Sequence, residues 1–586
     1  MIQMTRIIRF PVLVIFPLAA LLCACGSHGP YRVATEPSQQ MDALCGNLYD
    51  TIDNEIEGVA KDYSLDFNDR MKKLALIESD MREKTSPAQQ VCWQTSYEKH
   101  SGYDLFYAEF DDSGEPTDLQ GGKNVTYATS ELHLIKSQLK RELAAALSEH
   151  SGLNIVLFTH GWHGSARALD DYSLEFKGIL QEVSYQEQQS QQSRVNKNIA
   201  ASARPRRTVG IEIAWRGDSF LNPAIPFVAG SKNFANVWDR KITAKVISSG
   251  SAHALFAFLN EFYRENSCDE FGSAAPTKAG SPQSDQCDAV HMLTIGHSFG
   301  ALINLHALVS RIDSGLNVPP GKRAFGFGDM SVLLNPAVEG TSYRGLFETA
   351  INRKIDMAMT PIDAATTGAD ARPYLDGTLN PTRCETLSET APAVIVRKEA
   401  APGTPVAGSA PLSAHSAGRL ASMMVQMPTL VILQSHGDSA TGTFFPPMQG
   451  IAALFRQTLS SQERVDKTTA VGWIDAYRTH KLALSEQGAQ DDSCSNAAAA
   501  PASFCPFIHK STDKVQFVTL SGVADRQTVP DFMPLWSIMV DDKIMEQHDD
   551  FWNPQIVRLI SALFRDAYEQ SEHRNLVRSC EAQKTP

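Results

Sequence analysis

The residues best placed to do chemistry are Gly296-His297-Ser298-Phe299-Gly300, a serine with a glycine two positions away on either side. An apolar run, Val290 to Ile295, precedes them, and a stretch that reads as a helix, Ser298 to Arg311, follows at once. A serine hydroxyl is a weak nucleophile until it is held beside a general base. A strained strand-to-helix turn can hold it exposed, and side chains at Gly296 and Gly300 would collide with the neighbouring strand or helix. The N-terminus of the helix also favours negative charge beside Ser298. A second group, Thr159-His160-Gly161-Trp162-His163-Gly164, directly follows the buried-strand run Asn154 to Phe158. His160 and His163 could be read as a metal pair, but their spacing on a turn is poor geometry for one and no third ligand is evident, so no metal is expected.

Further groups complete a pattern. The apolar run Thr429 to Leu433 ends in Gln434-Ser435-His436-Gly437-Asp438-Ser439-Ala440-Thr441, a small-residue turn that carries an acid. Met330 to Leu334 ends in Asn335-Pro336-Ala337-Val338-Glu339, which carries a rival acid. From Tyr103 to Phe564 the chain resembles a group of bacterial α/β-hydrolase-fold proteins described as serine esterases or lipase-like hydrolases. The shared features are YDLFYAEFDDSG, LFTHGWHG, IAWRG (Ile213 to Gly217), WDRK (Trp238 to Lys241), IGHSFG, LLNPAVEG, SHGDSAT and HDDFWNP. The match to the first 100 residues is weak.

The resemblance implies roles. The element His160-Gly161 would build an oxyanion hole whose donors are the backbone N–H groups of Trp162 and Phe299. The order nucleophile, acid, histidine makes Asp438 the acid, with Glu339 the alternative, and places the histidine after Asp438. Four histidines qualify. His480 lies in a stretch read as helical, His509 is in a polar segment, and His573 is in the tail after the closing helix. His548 falls in a loop between the last strand region and that helix, and is the expected base. The implied chemistry is acyl transfer through an acyl-enzyme, on carboxylic esters, with no cofactor. A peptidase or amidase, a thioesterase or acyltransferase, and a non-catalytic envelope binding module on a hydrolase fold remain as alternatives. Arg216, Arg240 and Lys241 could hold an anionic substrate, but a buried or interfacial ion pair with Asp239 or Glu212 is the plainer expectation.

These groups need a frame. Strand-like runs at 154–158, 209–215, 290–295, 330–334 and 429–433 alternate with helical stretches at 252–263 and 298–311 and a closing helix at 554–567. That alternation predicts an α/β fold with a mostly parallel sheet covered on both faces. Tyr103 to Phe110 is β-rich, Thr129 to Glu149 is helical, Gln186 to Arg207 reads as an exposed loop, and residues 386–416 read as a mobile insertion. The expected division is 1–24 signal peptide, 25–100 tether and helical extension, and 101–586 the hydrolase domain. The tether is placed at Gly26 to Gln40, and Met41 to Lys99 has helical periodicity with little strand signal.

The N-terminus points to export. Arg6 and Arg9 precede an apolar run too short to span a bilayer, which reads as a signal peptide. It ends in Leu22-Cys23-Ala24-Cys25, which resembles the bacterial lipobox and implies lipidation of Cys25. An ordinary secretory signal cut near Ala24 is the alternative. Gly26 and Ser27, with no Asp after the cysteine, favour the outer membrane. In an exported chain the remaining cysteines suggest disulfides, with Cys268–Cys287 and Cys494–Cys505 the expected pairs. The 586 residues carry a net charge of −13 and no long basic stretch, so nucleic acid is not expected as a partner. The partners are then the membrane and a small-molecule or lipid ester.

Overall fold

The computed structural model describes residues 30–568, apart from 63–64, 118–129, 197–203, 218–228, 268–288, 319–323, 354–426, 454–456, 486–506, 512–513 and 523–532. The two expected disulfides, Cys25 and the insertion at 386–416 lie outside the described residues.

The chain is α/β with a mostly parallel, mixed sheet. Strands β1 (Tyr97–Lys99), β2 (Tyr103–Phe110), β3 (Leu153–Thr159), β4 (Arg207–Trp215), β5 (Val290–His297), β6 (Met330–Leu334), β7 (Leu430–Ser435), β8 (His480–Ser485), β9 (Phe507–Ser511), β10 (Lys514–Gly522) and β11 (Leu535–Val540) form it. Their order is β1-β2-β4-β3-β5-β6-β7-β11-β8-β10-β9. The run from β2 to β8 is parallel, and β1, β10 and β9 pair antiparallel at the two ends.

Period-2 alternation splits each central strand between two cores. Leu153, Ile155 and Leu157 of β3 face one core, while Val156 and Phe158 face the other. The first core is covered by α3 (Glu131–Ser148), α5 (Ala229–Ser249), α6 (Ser251–Asn266), α7 (Phe299–Leu316) and α8 (Arg344–Asn352). The second is covered by α1 (Gln39–Ala60), α2 (Phe67–Lys84), α4 (Asp171–Asn196) and a closing helix over 554–568. With both faces buried, these strands read as continuous apolar runs, which is why their positions were visible in the sequence. Among the described residues no single helix is long and apolar enough to cross a membrane.

Several expectations are corrected. Residues 186–196 are the last turns of α4, not a loop. Their glutamines lie on a helix whose Glu187 is buried and accepts from Asn154 at 3.2 Å and from Tyr568 at 3.0 Å. His480 begins a strand, not a helix. Residues 97–99 form a strand in a segment that showed little strand signal.

The tether is also shorter than expected. Gln39 and Gln40 already belong to α1, and Tyr31 and Arg32 are docked on the domain. Both backbone N–H groups donate to Glu109 Oε2, at 2.9 and 3.0 Å. The Arg32 guanidinium is fully buried, donates to Ala166 O at 2.6 Å and Thr95 O at 2.9 Å, and lies 3.3 Å from the centre of the Tyr107 ring. Glu98, buried beside it, also meets Lys177 at 3.2 Å and His100 at 3.1 Å. One disulfide is described, Cys45–Cys92, which ties α1 to the 3-10 turn Pro87–Trp93.

Candidate functional site

The sheet reverses its winding between β3 and β5. After β3 the chain adds β4 on one side, and β5, β6 and β7 follow on the other. In open α/β sheets such a point, where the connections from adjacent strands turn to opposite sides, is where ligands bind. The two motifs singled out first, after β3 and after β5, lie at this point.

Ser298 caps α7 with φ 53° and ψ −114°, a sparsely populated conformation for a residue with a side chain. Such backbone costs on the order of 1–3 kcal/mol and persists where surrounding contacts over-determine it. Here Ser298 N donates to Leu334 O at 3.0 Å, and Ala337 N donates to Ser298 O at 3.2 Å. The approach of the neighbouring loops leaves no room at two glycines. A Cβ on Gly300 would stand 2.0 Å from Thr159 O, and one on Gly161 would stand 2.8 Å from Ser298 Cβ. Gly296 is similarly enclosed, by Asn304 and Ala301.

His548 and Asp438 converge on Ser298 from the ends of β11 and β7. His548 Nε2 lies 2.8 Å from Ser298 Oγ, and its Nδ1 lies 3.0 Å from Asp438 Oδ1. The second contact is close but off the line of a well-directed hydrogen bond. Asp438 is buried and accepts from Thr441 N at 3.1 Å, from the Thr441 hydroxyl, and from Gln434 Nε2 at 3.0 Å. Burial would push its carboxyl up, but the His548 ring and the Thr441 donors hold it down at about 2. Burial likewise pushes His548 down, yet the Asp438 carboxylate outweighs this and raises it above the ordinary histidine value. The arrangement can therefore take a proton from a serine hydroxyl and keep the resulting imidazolium stabilised.

Trp162 follows Gly161 in the loop after β3, and Phe299 is the first residue of α7. Among the described residues neither backbone N–H is committed to a protein acceptor. His160, by contrast, is structural. Its Nε2 accepts from Trp215 N at 3.0 Å, its Nδ1 lies 3.0 Å from Gly161 O, and its ring stacks on Trp215. Burial lowers it to about 4, so it is neutral, and both nitrogens are occupied. The metal-pair reading of His160 and His163 thus has no free nitrogen on His160. Among the described residues one group could place ligands close enough for a metal, namely His297, His548 and Asp549.

Other candidates fall elsewhere. Glu339 pairs with Lys241 at 2.7 Å and Lys245 at 3.6 Å, not with His548. Arg240 pairs with Asp112 at 2.9 Å and with Asp239. Glu212 accepts from Ser173 instead, and burial pushes it up to about 8.

The sequence reading missed the groups that hold the His548 loop. Asn335, at φ 42° just after β6, donates from Nδ2 to His548 O at 2.7 Å, and its Oδ1 accepts from Ser435 N at 2.8 Å. His297 Nε2 lies 2.9 Å from the same His548 carbonyl, which can only accept, so Nε2 carries the proton. Burial and the neighbouring His548 lower His297 to about 4, leaving it neutral. Tyr172 links the loop after β3 to the loop that carries His548, its hydroxyl lying 3.2 Å from Trp162 O and 3.1 Å from Asp549 Oδ1. A signal for Asn335 did exist, because asparagine tolerates the left-handed region and Asn335-Pro336 directly follows a strand. Comparison of the chain with protein-family models, curated proteins and solved structures finds no match.

Proposed function

We propose that this chain is a serine hydrolase of the α/β-hydrolase fold, acting on carboxylic esters, with Ser298 as nucleophile, His548 as general base and Asp438 as the acid that orients it. The observation that carries the reading is the double contact of His548, 2.8 Å to Ser298 Oγ and 3.0 Å to Asp438, with the three side chains carried by the segments that follow three separate strands.

Ser298 Oγ attacks the ester carbonyl while His548 Nε2 takes its proton. The tetrahedral oxyanion is received by the N–H groups of Trp162 and Phe299, each worth on the order of 10²–10³ in rate. His548 returns the proton to the leaving alcohol, and water, activated by the same ring, releases the acid. Cys25, as the lipidated residue of a cell-envelope lipoprotein, would keep the enzyme at a membrane, the outer membrane by preference, and lipid esters within its range. A fluorophosphonate probe and p-nitrophenyl butyrate test the reading. Labelling and turnover by the wild type, both lost in Ser298→Ala, are expected. A folded wild type that does neither would defeat it.

A further inference from the structure

We propose that the lipid anchor holds the mouth of the active site against the bilayer, so that the substrate is an ester lying in the membrane to which the protein is attached. This rests on the hydrolase reading and on lipidation of Cys25.

The first observation is where the docked chain ends. Tyr31 and Arg32 are fixed to Glu109, the penultimate residue of β2, and to Ala166, in the loop that follows the oxyanion segment. That is the carboxyl end of the parallel sheet, the end that carries Ser298, Asp438 and His548. The exit lies close to the site, because β2 and β5 are separated in the order β2-β4-β3-β5 by three strand steps, about 14 Å. Exposed Arg167 stands over the Tyr31 ring at the exit, 5.7 Å from its centre, where a lipid phosphate could meet it.

The second is the reach. Six residue steps separate Cys25 from Tyr31, at most about 20 Å of chain. A chain of this length has a radius of gyration of about 25 Å. A lipid at Cys25 therefore cannot let the opposite end of the sheet face the membrane while Tyr31 stays docked.

The third is independent of the anchor. Two exposed apolar side chains flank Ser298 at this same end. Val33, 56 % exposed, lies beyond β2, and Phe444, 67 % exposed, follows the Asp438 turn after β7. Five strand steps, about 24 Å, separate those two strands, with β5 between them. Apolar side chains exposed on either side of a reaction centre suit a bilayer surface, whose acyl chains take up Phe444 and Val33.

The test uses the lipidated full chain in vesicles of phosphatidylethanolamine and phosphatidylglycerol carrying a fluorogenic phospholipid ester, with p-nitrophenyl butyrate as the soluble reporter. A Gly-Ser insert of about 40 residues between Cys25 and Tyr31 adds a span on the order of 35 Å. It should cut vesicle-ester hydrolysis at least about ten-fold and leave the soluble reporter unchanged. Val33→Ser with Phe444→Ser should do the same without the insert. Equal vesicle hydrolysis with and without the insert, alongside normal soluble turnover, overturns the orientation. Loss of soluble turnover in the wild type overturns the hydrolase reading instead. Orientation also has a readout free of activity. A fluorophore at position 444 should be quenched by nitroxide-headgroup lipids, and one at His150, exposed at the opposite end of the sheet, should not. Stronger quenching at His150 overturns the proposal.

Discussion

Arg70 and Asp550 stand 480 residues apart in sequence and form a buried ion pair. Arg70 lies on α2 of the N-terminal extension, and Asp550 lies two residues beyond His548. Asp550 also accepts from Glu546 N at 2.8 Å, so its carboxylate closes the loop that carries His548. The extension is thus wired to the candidate site. Burial pushes Asp550 up to about 6 even against Arg70. Arg70→Met would leave that carboxyl buried without its cation, a loss of about 3–5 kcal/mol. The expected outcome is a lower melting temperature and a lower kcat with KM nearly unchanged. Asp550→Asn added to Arg70→Met should recover part of the stability. A single Arg70→Met with wild-type melting and kcat would show the extension to be a passenger.

Asp438 and Glu339 make opposite predictions. Asp438→Asn keeps the shape but lets the His548 ring adopt the wrong tautomer, so kcat should fall by about 10⁴. Glu339→Gln removes the partner of Lys241 and Lys245 and should act on stability, with kcat within about three-fold of wild type. Ester kinetics on the two single variants decide between them, and the reverse ranking would move the acid to Glu339.

The His548 carbonyl receives two donors, Asn335 Nδ2 and His297 Nε2. Displacement of a catalytic group by about 1 Å can cost about 10² in rate. Asn335→Gly keeps access to the φ of 42° but deletes the amide. It should lower kcat about ten-fold, as should His297→Phe, and the pair together about 100-fold, with KM little changed. Steady-state kinetics on a soluble ester are the measurement. A full loss in Asn335→Ala with none in Asn335→Gly would mean that backbone conformation, not the clamp, is the cause.

Which parts of this were legible follows from how local each signal is. The Ser298 elbow needs a strand, a serine between glycines and a helix in immediate succession, and all three were visible. Asp438 was visible because its turn is built of small residues directly after a buried strand. His548 was reached by chain order, by elimination and by its place in a loop between the last strand region and the closing helix. Arg70, Asp550 and His297 were illegible as site supports, because each works through a partner brought by folding from far along the chain. Arg32 in a polar segment looks solvated until Glu98, Glu109 and Ala166 surround it. The polar glutamine run at the end of α4 misled for a related reason: with little apolar periodicity, residues 186–196 declare their helix only through the packing of Glu187. His480 misled because β8 joins the sheet only through its partners β11 and β10.

The pH dependence follows from the same His548 contacts. Only neutral His548 can take the Ser298 proton, so the rate must fall on the acid side as the ring protonates. Burial favours the neutral ring, but the Asp438 carboxylate, with Asp549 adding to it, raises the titration above the ordinary histidine value of 6.5. The acid limb of kcat/KM should therefore have its midpoint above 6.5. Asp438, held at about 2, stays ionised across the whole range and adds no second limb. In Asp438→Asn the main raising charge is gone while burial remains, so the limb should shift to lower pH even as the plateau drops. Asp549→Asn removes the weaker charge and should shift the limb in the same direction by less, with the plateau largely kept. The profile of p-nitrophenyl butyrate hydrolysis between about pH 5 and about pH 9 reads all three. A midpoint that stays in place when Asp438 is neutralised would mean that the titrating group is not His548 beside this carboxylate.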